Sequence, residues 1–563
     1  MIGHHLTDAF DGVSLESGAI ATMRDGTRLI ADIYRPTDGT GPWPVLLMRQ
    51  PYGRDIASTV VYAHPTWWAR EGFLVIIQDV RGRGDSEGTF YTFRNEIDDG
   101  ADTVAWAAAL PGSNGRVGMY GFSYQASTQL LAALARPPAL KALAPHMTAF
   151  DLYSGWFYRD GILQLSTTIG WASQMLREDA RRTEADSAAA LDTNWLNAGR
   201  LSSAMPLTDA PPLANEDVPS YGIDWIRHPT KDAYWEEFDL LARVAELAVP
   251  MFHLSGWYDF YLRGSVDGFR KMAATHPGQV LLAGPWQHIP WGEHVGGQDL
   301  GPAAAPAIDA MMAAWFHHWL DHEVPVGAAP LPPVRYFELG SNAWKEATAW
   351  PPPASQPREW FLCSGKRANS RYGDGALSPD GPAGPEDMFT YDPEVPVVAP
   401  GGNRGGNVAF GPHDLAPQQE GNNLLVYTSS PLDTPLVIAG DPRCVLHVCS
   451  SASHTHFVVR LSRVLPTGVA QFLCLGAASV IGADTPTGKE ISIQLDPIAV
   501  QMAPGETVRI DVASSAYPLL IRSPNHATDP ATVKAPGDFG HALQVVYHND
   551  AQPSRLVLPV LTD

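Results

Sequence analysis

Basic charge is scarce in this chain: 38 lysines and arginines stand against 60 aspartates and glutamates, for a net charge of −22. With a sequence pI near 5.2, the average surface repels phosphate backbones and anionic lipid, which argues against nucleic acid and membrane as partners. The opening stretch, MIGHHLTDAFDGVSLESG, lacks both a basic leader and a continuous apolar run. The expectation is a soluble cytoplasmic protein without signal peptide or transmembrane segment. Cysteine is rare as well. Cys363, Cys444, Cys449 and Cys474 all fall beyond residue 360 and have no metal-ligand spacing. If RCVLHVCS is a strand, Cys444 and Cys449 point to opposite faces about 16 Å apart, beyond the reach of a disulfide. Free buried thiols are expected instead. No repeat of solenoid or propeller period occurs.

What is abundant is core material. Apolar residues make up 45% of 563 positions and aromatics 10%, with 17 tryptophans, enough for two or three domains and a large apolar pocket. One stretch organises the rest: Val117 to Leu134, VGMYGFSYQASTQLLAAL. It opens as a buried strand, turns through Gly121-Phe122-Ser123-Tyr124-Gln125-Ala126, and continues with strong helix propensity. Strand, tight turn and helix with serine at the apex make a nucleophile elbow. The turn departs from G-x-S-x-G, since Gln125 holds the fifth position and the small Ala126 comes one place later. Squeezing such a turn lifts the serine oxygen beside the N–H groups of the helix start.

Around the elbow, short apolar runs alternate with helical segments: PVLLMR, TWWAREGF, LVIIQD, NEIDDGADTVAWAAA, the elbow, then Leu140 to Pro145. This is the pattern of a mainly parallel α/β sheet, preceded by a hairpin turning at Arg24-Asp25-Gly26. The glycines of VRGRGDSEGTF do not form a phosphate loop, having neither its spacing nor a lysine. Arg81, Arg83 and Asp85 are expected in local ion pairs there. From 148 to 245 strands vanish and helical periodicity with interspersed Trp, Phe and Tyr takes over, which reads as a helical cap. Val249 to Ser255 and Gln279 to Gly284 resume the sheet, and a helix from Pro306 to Leu320 follows, with the proline in its first turn. Beyond Pro351-Pro352-Pro353 come only short strands separated by turn residues, the pattern of an antiparallel jelly roll. The expected division is thus an α/β-hydrolase domain in two parts, 1–147 and 246–351, a cap at 148–245, and a C-terminal all-β sandwich at 352–563.

A serine hydroxyl needs a base, and the base an orienting carboxylate. His288 follows a strand directly and is the candidate base. Its rivals are His294 in the same loop, His253 inside an apolar strand, and His317 and His318 in a helix. Asp259, also at a strand end, is the candidate carboxylate, with Asp267 as the weaker choice. The order Ser, Asp, His at strand C-termini is that of an α/β-hydrolase.

With these residues in place, the chain resembles the X-prolyl dipeptidyl peptidase and cocaine esterase family of serine hydrolases. The matching pieces are RQPYGR, QDVRGRGDSEG, YGFSYQA, HPTKDAYW, SGWYD and GPWQH, then LLVYTSSPL and ASSAYPLLIRSPN. The resemblance implies that the Tyr52 hydroxyl joins the backbone N–H of Tyr124 in an oxyanion hole. It further implies that Trp156 and Trp171, with Phe260 or Tyr261, line the acyl or leaving-group pocket. The expected reaction is hydrolysis of a small-molecule ester, or amide, through an acyl-enzyme, with no metal or organic cofactor. Cleavage of X-Pro peptides or of α-amino-acid esters is the alternative. It calls for a carboxylate that binds a free ammonium, for which Asp160 and Glu293 are the candidates. A non-catalytic scaffold is the remote alternative, and a homo-oligomer is left open.

Overall fold

The computed structural model describes residues 7–55, 59–197, 199–322, 329–400, 403–404, 407–408, 411–485 and 487–562. Its first half is built on an eleven-stranded sheet. Seven neighbouring strands run parallel, in the spatial order Leu74–Asp79, Trp43–Gln50, Ser113–Phe122, Leu140–His146, Met251–Tyr258, Gln279–Gln287 and Val334–Glu338. Antiparallel strands close both edges, including the expected hairpin of Val13–Thr22 with Arg28–Pro36. Leu74–Asp79 and Met251–Tyr258 are buried along their whole length, because helices cover both faces and leave no side of the strand for polar residues.

Two strands run further than their apolar cores indicate. Met251–Tyr258 and Gln279–Gln287 pair in simple register from Met251↔Gln279 to Gly256↔Gly284, then slip by one residue so that Tyr258 faces Gln287. That bulge needs glycine: a Cβ on Gly256 would lie 2.2 Å from the Trp286 carbonyl oxygen. The slip makes Asp259 and His288 the next residues beyond one and the same rung.

Between the sheet's two halves lie the helices Leu165–Arg182, Ala188–Leu196, Gly199–Ser202, Tyr221–Arg227 and Ala233–Glu236. Strands do not vanish there entirely. Tyr158–Arg159 pairs with Ile162–Leu163 in a small hairpin. Its turn residues Asp160 and Gly161 have φ of 46° and 83°, the conformation for which Asp-Gly is favoured. The loop after Leu74–Asp79 also differs from expectation. Its ion pairs are not local: Arg81 binds Asp25 and Asp99, Asp85 binds Arg54, and Arg83 reaches Asp179 of the Leu165–Arg182 helix at 2.8 Å. The helix expected from Pro306 starts at Ile308, with Pro306 ahead of it.

The C-terminal part is all-β, in the expected sandwich class. Its strands pair antiparallel except for Ala376–Ser378 with Leu425–Ser429, and they include Glu386–Tyr391, Ile498–Met502 and Arg555–Leu561, which were not among the expected strands. One buried core joins this sandwich to Trp257, Tyr258, Leu262 and Tyr336 of the first half. All four cysteines are free, but only Cys444 and Cys474 are buried. Cys363 and Cys449 sit near strand ends and are part-exposed. Among the described residues no helix is long and apolar enough to cross a membrane.

Candidate functional site

Ser123 stands between the end of the Ser113–Phe122 strand and the start of the Tyr124–Leu134 helix, with φ 58° and ψ −127°. A non-glycine residue held there costs on the order of 1–3 kcal/mol and persists only under constraint. The constraints are visible. The Ser123 N–H donates to the His146 carbonyl at 2.9 Å, and its own carbonyl accepts from the N–H groups of Ala126 and Ser127. Gly121 precedes the turn at φ 138°, where a Cβ would meet Gln125 at 2.5 Å.

Asp259 and His288, side by side beyond the bulge, are hydrogen-bonded from Nδ1 to Oδ1 at 3.0 Å. The carboxylate side chain is fully buried and the imidazole 14% exposed. A carboxylate accepts only, so Nδ1 carries the proton and Nε2 is the basic nitrogen. The Trp291 indole donates to the His288 carbonyl at 2.9 Å and fixes the loop behind it. His288 packs against Phe122, the residue before Ser123, with ring centroids 5.4 Å apart.

The remaining expected residues form a connected wall. The Trp171 indole donates to the Tyr52 hydroxyl at 3.2 Å. Burial pushes the Tyr52 phenol up to about 12, against the pull of its hydrogen-bonding partners Trp171 and Ser123, so it stays a protonated donor at neutral pH. Trp171 lies 5.2 Å from Trp156, Trp156 lies 4.1 Å from Tyr261, and Tyr261 meets the His288 ring edge-on at 5.2 Å. Phe260 covers the same imidazole at 4.6 Å. Tyr124 contributes the first N–H of its helix, while its side chain turns inward, away from solvent.

The other candidates fall away. His294 is exposed on a short hairpin, Asp267 pairs with Arg270, and His253 is buried against Gln279. Asp160 pairs with Arg263 at 2.7 Å, and Glu293 is part-exposed. Glu293, His294 and Asp299 do offer ligand atoms within 4.8 Å of one another, on an exposed surface.

Three features at this site had no reading in the sequence. Phe93, at φ 71°, packs against Tyr124, Trp156 and Trp171. Glu96 lies buried beneath Tyr124. Trp225 stacks on Trp171 at 4.8 Å with the rings nearly parallel. Only Phe93 had a usable signal, its place in a Gly-rich loop bordered by aromatics.

Comparison with known proteins supplies the family. Residues 25–290 match the X-Pro dipeptidyl-peptidase (S15 family) pattern, and residues 327–557 match the X-Pro dipeptidyl-peptidase C-terminal non-catalytic domain. Cocaine esterase of Rhodococcus sp. is 31% identical over 97% of this chain and 99% of its own length. The chain belongs to the S15 family. It is a serine ester hydrolase by that membership, as its motifs indicated. The S15 fold is also seen in two solved structures that span this whole chain. An aminopeptidase from a Thaumarchaeota archaeon has a TM-score of 0.82 at 22% identity, covering 100% of this chain and 99% of its own. An α-amino acid ester hydrolase has a TM-score of 0.80 at 24% identity, covering 100% and 98%. At those identities the likeness is one of fold.

Proposed function

We propose that this S15 enzyme hydrolyses carboxylic esters with apolar or aromatic acyl groups, through an acyl-enzyme on Ser123. The observation that carries the reading is the 3.0 Å bond of Asp259 to His288 Nδ1, which leaves Nε2 as the base for the serine. Ser123 Oγ attacks the ester carbonyl as its proton passes to His288 Nε2. The Tyr52 hydroxyl and the Tyr124 N–H stabilise the oxyanion, and the imidazolium protonates the leaving alkoxide. Water, deprotonated by the same nitrogen, then releases the acid. Asp259 keeps the imidazole in the correct tautomer and offsets its positive charge. Trp156, Trp171, Phe260 and Tyr261 offer flat apolar walls to the substrate.

Esters are favoured over free-amino substrates by charge. Glu96 and Asp179, which approach the aromatic cluster through Tyr124 and Tyr221, are each paired with a buried arginine. Neither is left to bind an ammonium. The free thiols accord with a reducing compartment and support a cytoplasmic location.

The test is a fluorophosphonate probe together with a panel of aryl esters, alkyl esters and X-Pro anilides. Labelling is expected at Ser123, lost in Ser123→Ala, with aryl esters turned over fastest. An unlabelled protein, or one that prefers X-Pro anilides, would refute it.

A further inference from the structure

The two proposed oxyanion donors come from different places in the chain, yet both trace back to one buried ion pair. The Tyr124 hydroxyl donates to Glu96 Oε1 at 2.9 Å. The other oxygen, Oε2, accepts from Arg49 Nη1 at 2.6 Å. Arg49 lies on the Trp43–Gln50 strand, just ahead of Tyr52, and its Nε donates to Gln78 at 2.8 Å. The adjoining Gln50 side chain accepts the Tyr52 N–H at 2.7 Å and donates to Asp79 at 3.2 Å. A third bond from the elbow helix completes the connection, Thr128 Oγ1 donating to the Arg49 carbonyl at 3.2 Å. Arg49 and Tyr124 are fully buried, and Glu96 is 3% exposed.

Such an arrangement is a poor way to gain stability. Desolvating a carboxylate and a guanidinium offsets most of their attraction, and an apolar pair of similar volume serves a core about as well. It is a good way to fix geometry. Oxyanion donors act only within about 0.5 Å of their working positions. A charge-assisted bond on either side of one carboxylate ties the elbow helix to the strand that delivers Tyr52. The Tyr124 hydroxyl does a second job. It accepts the Phe93 N–H at 2.9 Å, holding Phe93 in its left-handed conformation with its ring 5.0 Å from that of Tyr124 and facing Trp156 and Trp171. Donor placement and the aromatic wall therefore share one anchor.

We infer that Glu96 is a positioning residue for the reaction, holding Tyr124 directly and the Tyr52 strand through Arg49 so that both oxyanion donors are aligned as a unit. The inference rests on the serine-hydrolase reading above.

It is tested on the full-length protein with Glu96→Gln, which keeps the shape and an acceptor oxygen, and with Tyr124→Phe, which keeps the ring and its backbone N–H. Turnover of an aryl ester is measured per active site, titrated with a fluorophosphonate. Affinity for phenylboronic acid, whose tetrahedral adduct on the serine places an oxygen among the donors, is measured alongside, together with Tm. Glu96→Gln is expected to lower kcat about 10- to 100-fold with KM within about threefold, and to weaken the boronic acid by a similar factor. Tyr124→Phe is expected to do the same to a smaller extent. A purely structural role would lower Tm and the fraction of titratable sites while leaving kcat per site and boronate affinity within about twofold, and that result overturns the inference. If Glu96→Gln does not fold, Tyr124→Phe decides alone. Ser123→Ala is assayed in parallel. Surviving hydrolysis in it would overturn the serine mechanism itself, whereas a dead Ser123→Ala beside a normal Glu96→Gln and Tyr124→Phe would overturn only the role of Glu96.

Discussion

Replacing Tyr52 with phenylalanine removes one oxygen from the site and leaves the ring. The Tyr52 oxygen accepts from the Trp171 indole at 3.2 Å, so its own proton is directed toward the serine side. Losing a preorganised oxyanion donor costs about 3 kcal/mol of transition-state stabilisation, roughly 100- to 1,000-fold in kcat. Binding of the uncharged ester changes little, so KM should stay within about threefold. Stability is affected far less. The Trp171 indole loses its acceptor, but it is only half-buried, and a cost of about 1 kcal/mol is expected, a small Tm shift in a protein of this size. The assay is steady-state hydrolysis of an aryl ester with Tm measured on the same preparation. A pH series adds a check: burial pushes the phenol up to about 12, so the wild-type contribution from Tyr52 should persist to about pH 10. A variant with kcat within threefold of wild type and an unchanged Tm would refute the donor role.

Asp259→Asn should keep the fold and lose about 10⁴-fold in kcat, because the amide no longer enforces the tautomer with its proton on Nδ1; a loss under tenfold in stopped-flow acylation would exclude it as the orienting group. Gly256→Ala forces the Trp286 carbonyl aside and should lower both Tm and kcat by breaking the bulge. Gly292→Ala, with open space around it, should change neither, and equal behaviour of the two variants would dismiss the bulge argument. His253 is buried and lowered to about 4 by burial. The folded state therefore binds fewer protons than the unfolded one between about pH 4 and 6.5, and this histidine costs stability as pH falls through that window, at about 1 kcal/mol per unit. Buried acids such as Asp79, raised to about 6 by burial, act in the opposite sense, so the readout is a difference. His253→Gln should lose less stability than wild type between pH 7 and 5 in urea titrations, and an identical loss would show that the imidazole is not buried neutral.

The serine turn was legible because all its requirements are local: a run of buried strand residues, Gly121, a small Ala126 and a helix former after it. Asp259 and His288 were legible for a different reason. Each follows an apolar strand, and parallel strands bring their C-terminal ends to one side of the sheet. What sequence did not show is why these two meet. The apolar cores of their strands end at Ser255 and Gly284, yet the pairing runs on through a one-residue slip to Tyr258 and Gln287. That slip depends on the backbone of a neighbouring strand, which no local pattern records. Arg83 and Asp179 illustrate the same limit, being 96 positions apart, so an arginine in a loop with acids nearby invites the wrong partner. Glu96 was hidden by ambiguity, since an acid in the first turn of a helix is explained by the helix itself. The Asp160-Gly161 hairpin, by contrast, carries its usual signature, set among aromatic residues with a helical period.

The division of labour among the tryptophans bears on what the cap does. Trp225 and Trp235 are buried, whereas the half-buried Trp171 stacks on Trp225 and points its indole N–H at Tyr52. The helix carrying Trp171 is held to the α/β domain by Asp179, which accepts from both Arg83 at 2.8 Å and the Tyr221 hydroxyl at 2.6 Å. The short hairpin beside it is held to the sandwich by Arg159 with Asp496. A cap that merely shielded the serine would touch the substrate and nothing else. This one contacts the proposed donor hydroxyl itself, so a displacement of the Leu165–Arg182 helix would break the Trp171 bond to Tyr52 and shift the pocket wall together. Loosening the Arg83–Asp179 contact should accordingly lower kcat, where loss of a simple cover would raise KM alone. That result would place the cap within the chemical apparatus and give a physical reason for pinning it from both sides.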